Sequence, residues 1–264
     1  MIQKRYEGFL KTPCLWKNDN IFSLSQFEII SSSDKIDIVI DEKLRLGKYV
    51  ERLVSFELEQ QENVSILAEN VQIQQNKITL GELDCLLLRH NKPIHLEIIY
   101  KFYLYDASVG ETEIDHFIGP NRKDSLIEKL TKLKEKQLTL LYANACRPYI
   151  HAFDLKVENI SQQVYFKAQL FVPIHNQNIQ LTFLNTDCIS GFYINKNELN
   201  QLKDCKFYIP SKKDWLILPH THVNWLNFDA FKAVTEDYFE QKFSALCWVK
   251  LKNGELKKVF LVWW

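Results

Sequence analysis

Apolar and polar residues alternate at two different periods along the first half of the chain. Over 44–60, LRLGKYVERLVSFELEQ, residues Leu46, Tyr49, Val50, Leu53, Val54 and Phe56 recur at helical spacing with charged residues between them, which predicts an amphipathic helix. Segments 64–74 (VSILAENVQIQ), 77–88 (KITLGELDCLLL) and 93–105 (PIHLEIIYKFYLY) are rich in β-formers and separated by the short polar turns QN and RHNK. They predict three consecutive antiparallel strands. After Gly119-Pro120 the pattern returns to a helix over 123–137, followed by the short apolar run LTLLYA at 138–143, read as a strand. The predicted order is α-β-β-β-α-β.

From Pro148 onward short β-like runs dominate: VYFKAQLFVPI, IQLTFL, GFYI, KFYIP, DWLILP, ALCWVKL and KVFLVWW. One helical run, NFDAFKAVTEDYFEQKF, interrupts them. The fold class expected is α/β (α+β), an α-β-β-β-α-β core over 1–147 followed by a β-rich part over 148–264.

Composition narrows the function classes. The 264 residues are 46% hydrophobic, enough for sizeable cores, and no apolar stretch reaches the roughly 20 residues of a membrane-spanning helix. Six cysteines lie far apart without CxxC pairs, as expected of reduced thiols in a cytoplasmic protein. Lys+Arg and Asp+Glu both count 33, so no global basic field drives nucleic-acid binding, and any such contact must be local. The best local patch is 122–136, RKDSLIEKLTKLKEK, with Lys129, Lys132 and Lys136 on its predicted helix. A solvated helix face is the bland alternative.

Three predicted elements each offer an acid where a hard divalent cation could use it. These are Glu51 on the first helix, Asp84 on the second strand and Glu97 on the third. Strand alternation puts Glu82 beside Asp84, opposite Leu83, Cys85 and Leu87. On the third strand it puts His95, Glu97 and Lys101 together, opposite Leu96, Ile98, Tyr100 and Phe102. A metal-bound water with a lysine nearby is the equipment for attack on a phosphodiester. The same alternation also describes ordinary half-exposed strands.

An α-β-β-β-α-β core with a helix Glu, an Asp on the second strand and a Glu…Lys on the third resembles the PD-(D/E)xK nuclease superfamily. More narrowly, LGKYVERL, LGELDCLL, HLEIIYKFYL, IGPNRKDSLIEKL and the following KQL resemble a bacterial family defined only as a domain of unknown function. The resemblance covers about 45–140 well, and FYIPSKKDWLILP and the tryptophan-rich end more loosely. It implies Asp84 and Glu97 as ligands of Mg2+ or Mn2+, Glu51 as a further ligand or water-holding group, Lys101 as the catalytic lysine and the Ile98 carbonyl as a backbone ligand. Nucleic acid, with DNA as the expected form, is the implied partner. Gln137 and Tyr142 resemble a glutamine and tyrosine motif of some exonuclease branches, one residue too far apart. The lysine also departs from the pattern: Ile99 stands two residues after Glu97 and Lys101 four after, about 13 Å along a strand instead of ~7 Å. Two readings follow, a Mg-dependent nuclease and an inactive nuclease-like module that binds nucleic acid or protein.

Other candidates are weaker. His220 and His222 share a strand face without a third ligand nearby in sequence, and His151 and Asp154 lack a nucleophile motif. Aromatics beside lysines, as in KDWLIL and CWVKLK, offer base stacking but more often form core.

Overall fold

The computed structural model describes residues 1–17, 21–30 and 33–264. Its elements run α1 (Ile2–Lys11), α2 (Leu46–Glu59), β1 (Val64–Gln75), β2 (Ile78–Arg89), β3 (Lys92–Tyr105), β4 (Phe117–Ile118), α3 (Leu126–Lys132), α4 (Arg147–His151), β5 (Ser161–Pro173), β6 (Ile189–Asn195), β7 (Lys206–Tyr208), α5 (Phe228–Glu240), β8 (Ala245–Lys250) and β9 (Leu256–Val262). Among the described residues, the fold is mixed α/β, with one nine-stranded sheet ordered β1-β2-β3-β5-β6-β9-β8-β7 and β4 paired to β3. No helix among the described residues is long and apolar enough to cross a membrane. The chain divides into two compact units, Met1–Pro13 with 101–127 and 168–264, and 14–100 with 128–167.

The unit built from 14–100 and 128–167 is organised by two tight hairpins. Asn76 and Lys77, then His90 and Asn91, all have positive φ, the conformation that a two-residue turn needs to match strand twist. The pairs Gln75↔Ile78 and Arg89↔Lys92 close these turns and fix the register. Helix α2 buries Tyr49, Val50, Leu53, Val54 and Leu58 and packs on β1. Below the hairpins Ile73, Leu83 and Leu86 join Leu140, Leu141, Cys146 and Ile150 in one apolar cluster.

Those last residues correct the sequence reading. The run 138–143 is not a strand: Leu138–Tyr142 forms a 3-10 helix that continues α3 through a π-helical turn over Leu133–Gln137. Leu138 and Leu141, three apart, are buried while Thr139 and Tyr142 are exposed, a helical spacing that a short apolar run conceals. The strand that follows the helix is β5, which starts at Ser161.

In the other unit β6 runs parallel to β9, and β8 joins β9 and β7 antiparallel. A Cβ at Gly191 would lie 2.0 Å from the Lys258 carbonyl, so the β6–β9 pairing requires glycine there. Helix α5 covers β7 by stacking Phe231 on Phe207 at 4.1 Å between ring centroids. Two further β-like runs are not strands. DWLILP contains a 3-10 turn, Lys213–Leu216, whose Asp214 accepts from Arg5 at 2.7 Å and from Ser211 at 2.6 Å. IQLTFL is irregular because the N–H groups of Thr182, Phe183 and Leu184 all donate to the Glu113 carboxylate, which takes the place of a neighbouring strand. Helix α1 had no counterpart in the sequence reading.

Lys258 is a buried lysine of this unit. Only 4% exposed, its Nζ donates to Gln169 Oε1 at 2.9 Å and the Trp215 carbonyl at 2.6 Å, both neutral acceptors. Burial pushes its pKa down to about 7. Between that value and the ordinary lysine range the unfolded chain holds a proton that the folded chain does not, so this group's contribution to stability rises with pH from about 7 to about 10. Urea denaturation of wild type and Lys258→Met between pH 6.5 and 9.5 checks this. The difference in unfolding free energy between the two proteins should change with pH by up to about 1.4 kcal/mol per pH unit. Parallel pH profiles would contradict it.

Candidate metal centre

Four carboxylates of the unit built from 14–100 and 128–167 converge on the face shared by α2, β2 and β3. Glu82 and Asp84 point the same way because they alternate with Leu83 and Cys85, which fill the core. One turn of α2 presents Lys48 and Glu51 to them. Oxygens of Glu51, Glu82 and Asp84 lie within 4.8 Å of one another. Glu97 of β3 is fully buried and close enough for its charge to raise both Asp84 and Glu51.

The cluster's counter-charge is Lys48, which the sequence reading passed over. Its Nζ donates to Glu51 Oε2 at 2.7 Å, to Asn70 Oδ1 at 2.6 Å and to Glu82 Oε1. Burial alone would lower this ammonium, but the two glutamates outweigh it and hold the pKa above the usual lysine range. Asn70 holds φ +54° inside β1, a left-handed conformation that asparagine adopts more readily than most residues. The available signal for Lys48 was its place three residues before Glu51 on one helix face.

Asp84 experiences the site's electrostatics most sharply. Burial first, and the Glu97 charge second, push its pKa up to about 8, against the Ile98 N–H that donates to Oδ2 at 3.0 Å. Burial likewise raises Glu51, with Lys48 opposing. The same Lys48 contacts leave Glu51 Oε1 and Glu82 Oε2 without a hydrogen-bond donor among the described residues, as is Asp84 Oδ1. Three carboxylates that each bring one oxygen into a cluster within 4.8 Å, as hard oxygen ligands, could hold Mg2+ or Mn2+.

Glu97 is held from two sides. His95 Nε2 lies 3.1 Å from Oε1, and Gln137 Nε2 donates to Oε2 at 2.5 Å. Gln162 Nε2 faces His95 Nδ1 at 3.0 Å and donates to the Leu138 carbonyl at 2.6 Å, an arrangement that makes Nδ1 the acceptor and Nε2–H the donor to Glu97. His95 therefore orients Glu97 with both ring nitrogens engaged. Lys129 donates to Gln137 Oε1 at 2.7 Å, while Lys132 and Lys136 face solvent. Gln137 is the last residue of the π-helical turn over Leu133–Gln137, and such turns recur at functional sites.

Lys101 belongs to the other unit and is engaged with Asp124 Oδ2 at 2.7 Å. Burial, and then the Lys101 charge, lower the neighbouring Lys212 to about 7, with its Nζ 3.2 Å from the Trp215 ring centroid. Trp215 and Trp248 are core residues. His220 Nε2 pairs with Lys4 Nζ at 3.2 Å. All six cysteines are free thiols.

No curated protein and no solved structure matches the chain. A family profile described as a domain of unknown function, DUF1853, matches residues 24–262, a span that contains every acid, lysine and glutamine of the centre described above. The chain belongs to the DUF1853 family.

Proposed function

We propose that this protein is a Mg2+- or Mn2+-dependent nuclease, with Glu51, Glu82, Asp84 and Glu97 as the metal-binding acids and Lys48 as the catalytic lysine. The observation that carries this reading is the approach of three carboxylates from α2 and β2 to within 4.8 Å with a lysine among them. The resemblance of the core to PD-(D/E)xK nucleases supports it. A divalent ion in that cluster would supply a water of lowered pKa and offset the charge developing on an attacked phosphate.

The chain's own residues set up the rest. His95 and Gln137 fix both Glu97 oxygens, so this carboxylate cannot rotate away. Lys48 is placed to give its ammonium to a phosphate oxygen once Glu51 and Glu82 engage a cation. The lysine role falls to Lys48 because Lys48 touches the acids, whereas Lys101 pairs with Asp124. A second reading rests on the same ion pairs: in an inactive nuclease-like module, Lys48 is the cluster's permanent counter-ion.

Cleavage of labelled DNA and RNA in Mg2+ and Mn2+ separates them. Asp84→Asn should abolish cleavage, and Lys48→Ala should lower kcat roughly 10²- to 10³-fold with the fold intact. Lys101→Ala should stay near wild type. Absence of cleavage of any nucleic acid would leave the binding-module reading, and loss in Lys101→Ala alone would return the lysine role to Lys101.

Metal binding should also depend on pH in a set direction. The unfolded chain releases the Asp84 proton near pH 4, whereas the folded chain keeps it to about 8, so this group's contribution to stability falls as pH rises across that window. A cation must displace the same proton, so affinity should weaken about tenfold per pH unit below 8. Melting curves with Mn2+ should show a larger rise in Tm at pH 8.5 than at pH 6.5, and none in Asp84→Asn. An equal rise at both pH values would contradict it.

A further inference from the structure

Glu97 and His95 are both fully buried, so the groups packed around them set the directions of their polar atoms. His95 Nε2 reaches Glu97 Oε1 at 3.1 Å, and only a hydrogen on Nε2 makes that contact favourable. A neutral imidazole carries one ring hydrogen, and the hydrogen bond made at one nitrogen decides which nitrogen holds it. Control of Glu97 therefore passes to the far side of the ring. There His95 Nδ1 lies 3.0 Å from Gln162 Nε2.

Gln162 is the second residue of β5, which lies beside β3 in the sheet, and it shares one compact unit with His95 and Glu97. Its amide cannot be turned the other way round. Nε2 lies 2.6 Å from the Leu138 carbonyl, a distance at which an amide oxygen would be repelled, while Tyr142 Oη donates to the opposite end, Oε1, at 3.4 Å. The two hydrogens of Nε2 thus go to the Leu138 carbonyl and to His95 Nδ1. Nδ1 must accept, and the ring hydrogen stays on Nε2, facing Glu97.

We infer that Gln162 is a positioning residue of the acid centre: by donating to His95 Nδ1 it fixes the ring as the Nε2–H tautomer and so holds Glu97 in place for a divalent cation. The hold on the ring stands on these contacts, and only its use for a cation rests on the nuclease reading. A side chain of similar length without an N–H would take this donor from both acceptors, the Leu138 carbonyl and Nδ1. The two can bond to each other only once the ring hydrogen moves to Nδ1, and Nε2 then turns a lone pair toward the Glu97 carboxylate. Glu97 would keep only the Gln137 amide, at Oε2.

Heteronuclear NMR of the imidazole nitrogens and calorimetric titration with Mn2+, both on the full chain at pH 8.5, test the inference. Without cation, His95 should be a single Nε2–H tautomer in wild type and in Tyr142→Phe, which keeps the amide and loses only the 3.4 Å hydroxyl contact. Gln162→Met should bring in the Nδ1–H form. Mn2+ should bind roughly 10- to 100-fold more weakly to Gln162→Met and as tightly as wild type to Tyr142→Phe, with melting temperatures close to wild type in both. An Nδ1–H ring in the wild-type protein would overturn the inference whether or not Gln162→Met folds. A ring and an affinity that Gln162→Met leaves untouched would overturn it too, and with Mn2+-dependent cleavage intact the nuclease reading would stand without it. A tautomer change in Gln162→Met, with no Mn2+ bound by wild type, would uphold the hold of Gln162 on His95 and sink the nuclease reading.

Discussion

The centre of this protein is set by the confinement of four carboxylates on one face, Glu97 fully buried and Glu82 and Asp84 partly so. Bringing Glu51, Glu82, Asp84 and Glu97 together costs both desolvation and mutual repulsion. The surroundings offset that cost in three ways. Lys48 contributes a positive charge to Glu51 and Glu82, the Ile98 N–H and the Gln137 amide contribute donors, and Asp84 stays protonated to about pH 8. A divalent cation would replace the proton and the ammonium together, which makes the arrangement chemically useful as well as costly.

Backbone geometry makes this crowding possible. The two hairpin turns, each with consecutive residues at positive φ, fix the β1-β2-β3 register, and that register points Asp84 and Glu82 away from Leu83 and Cys85. Helix α2 then brings Lys48 and Glu51 onto the same face through one turn of helix. Buried His95, braced by the half-buried Gln162, holds Glu97 from within the sheet. Removing the register would scatter the acids, since a shift of one residue turns every side chain of a strand to the other face.

Much of this was legible in the sequence. Helical spacing over 44–60 and alternation over 64–105 mark α2 and the three strands to within a few residues, because both patterns reflect a single buried face. The same parity argument groups Glu82 with Asp84. It does not reveal Lys48, because strand parity says nothing of an ammonium that reaches the acids from the helix. Parity also could not distinguish Glu97 from Lys101, which share a face of β3 yet differ in burial, 0% against 37% for the side chains. The 138–143 run and IQLTFL were misread for another reason. Each takes its form from partners distant in sequence, the Ile73 and Leu83 side chains for one and the Glu113 carboxylate for the other.

The proposed nuclease reading requires the carboxylate cluster to be a cation site that Lys48 fills in the cation's absence. Crystals grown at pH 8.5 and soaked in Mn2+ test it most directly through the anomalous difference map. The account predicts one strong peak bonded to oxygens of Asp84 and of Glu51 or Glu82, with Lys48 Nζ drawn away from both glutamates. A map without a peak at saturating Mn2+, and with Lys48 still joining Glu51 to Glu82, would contradict it.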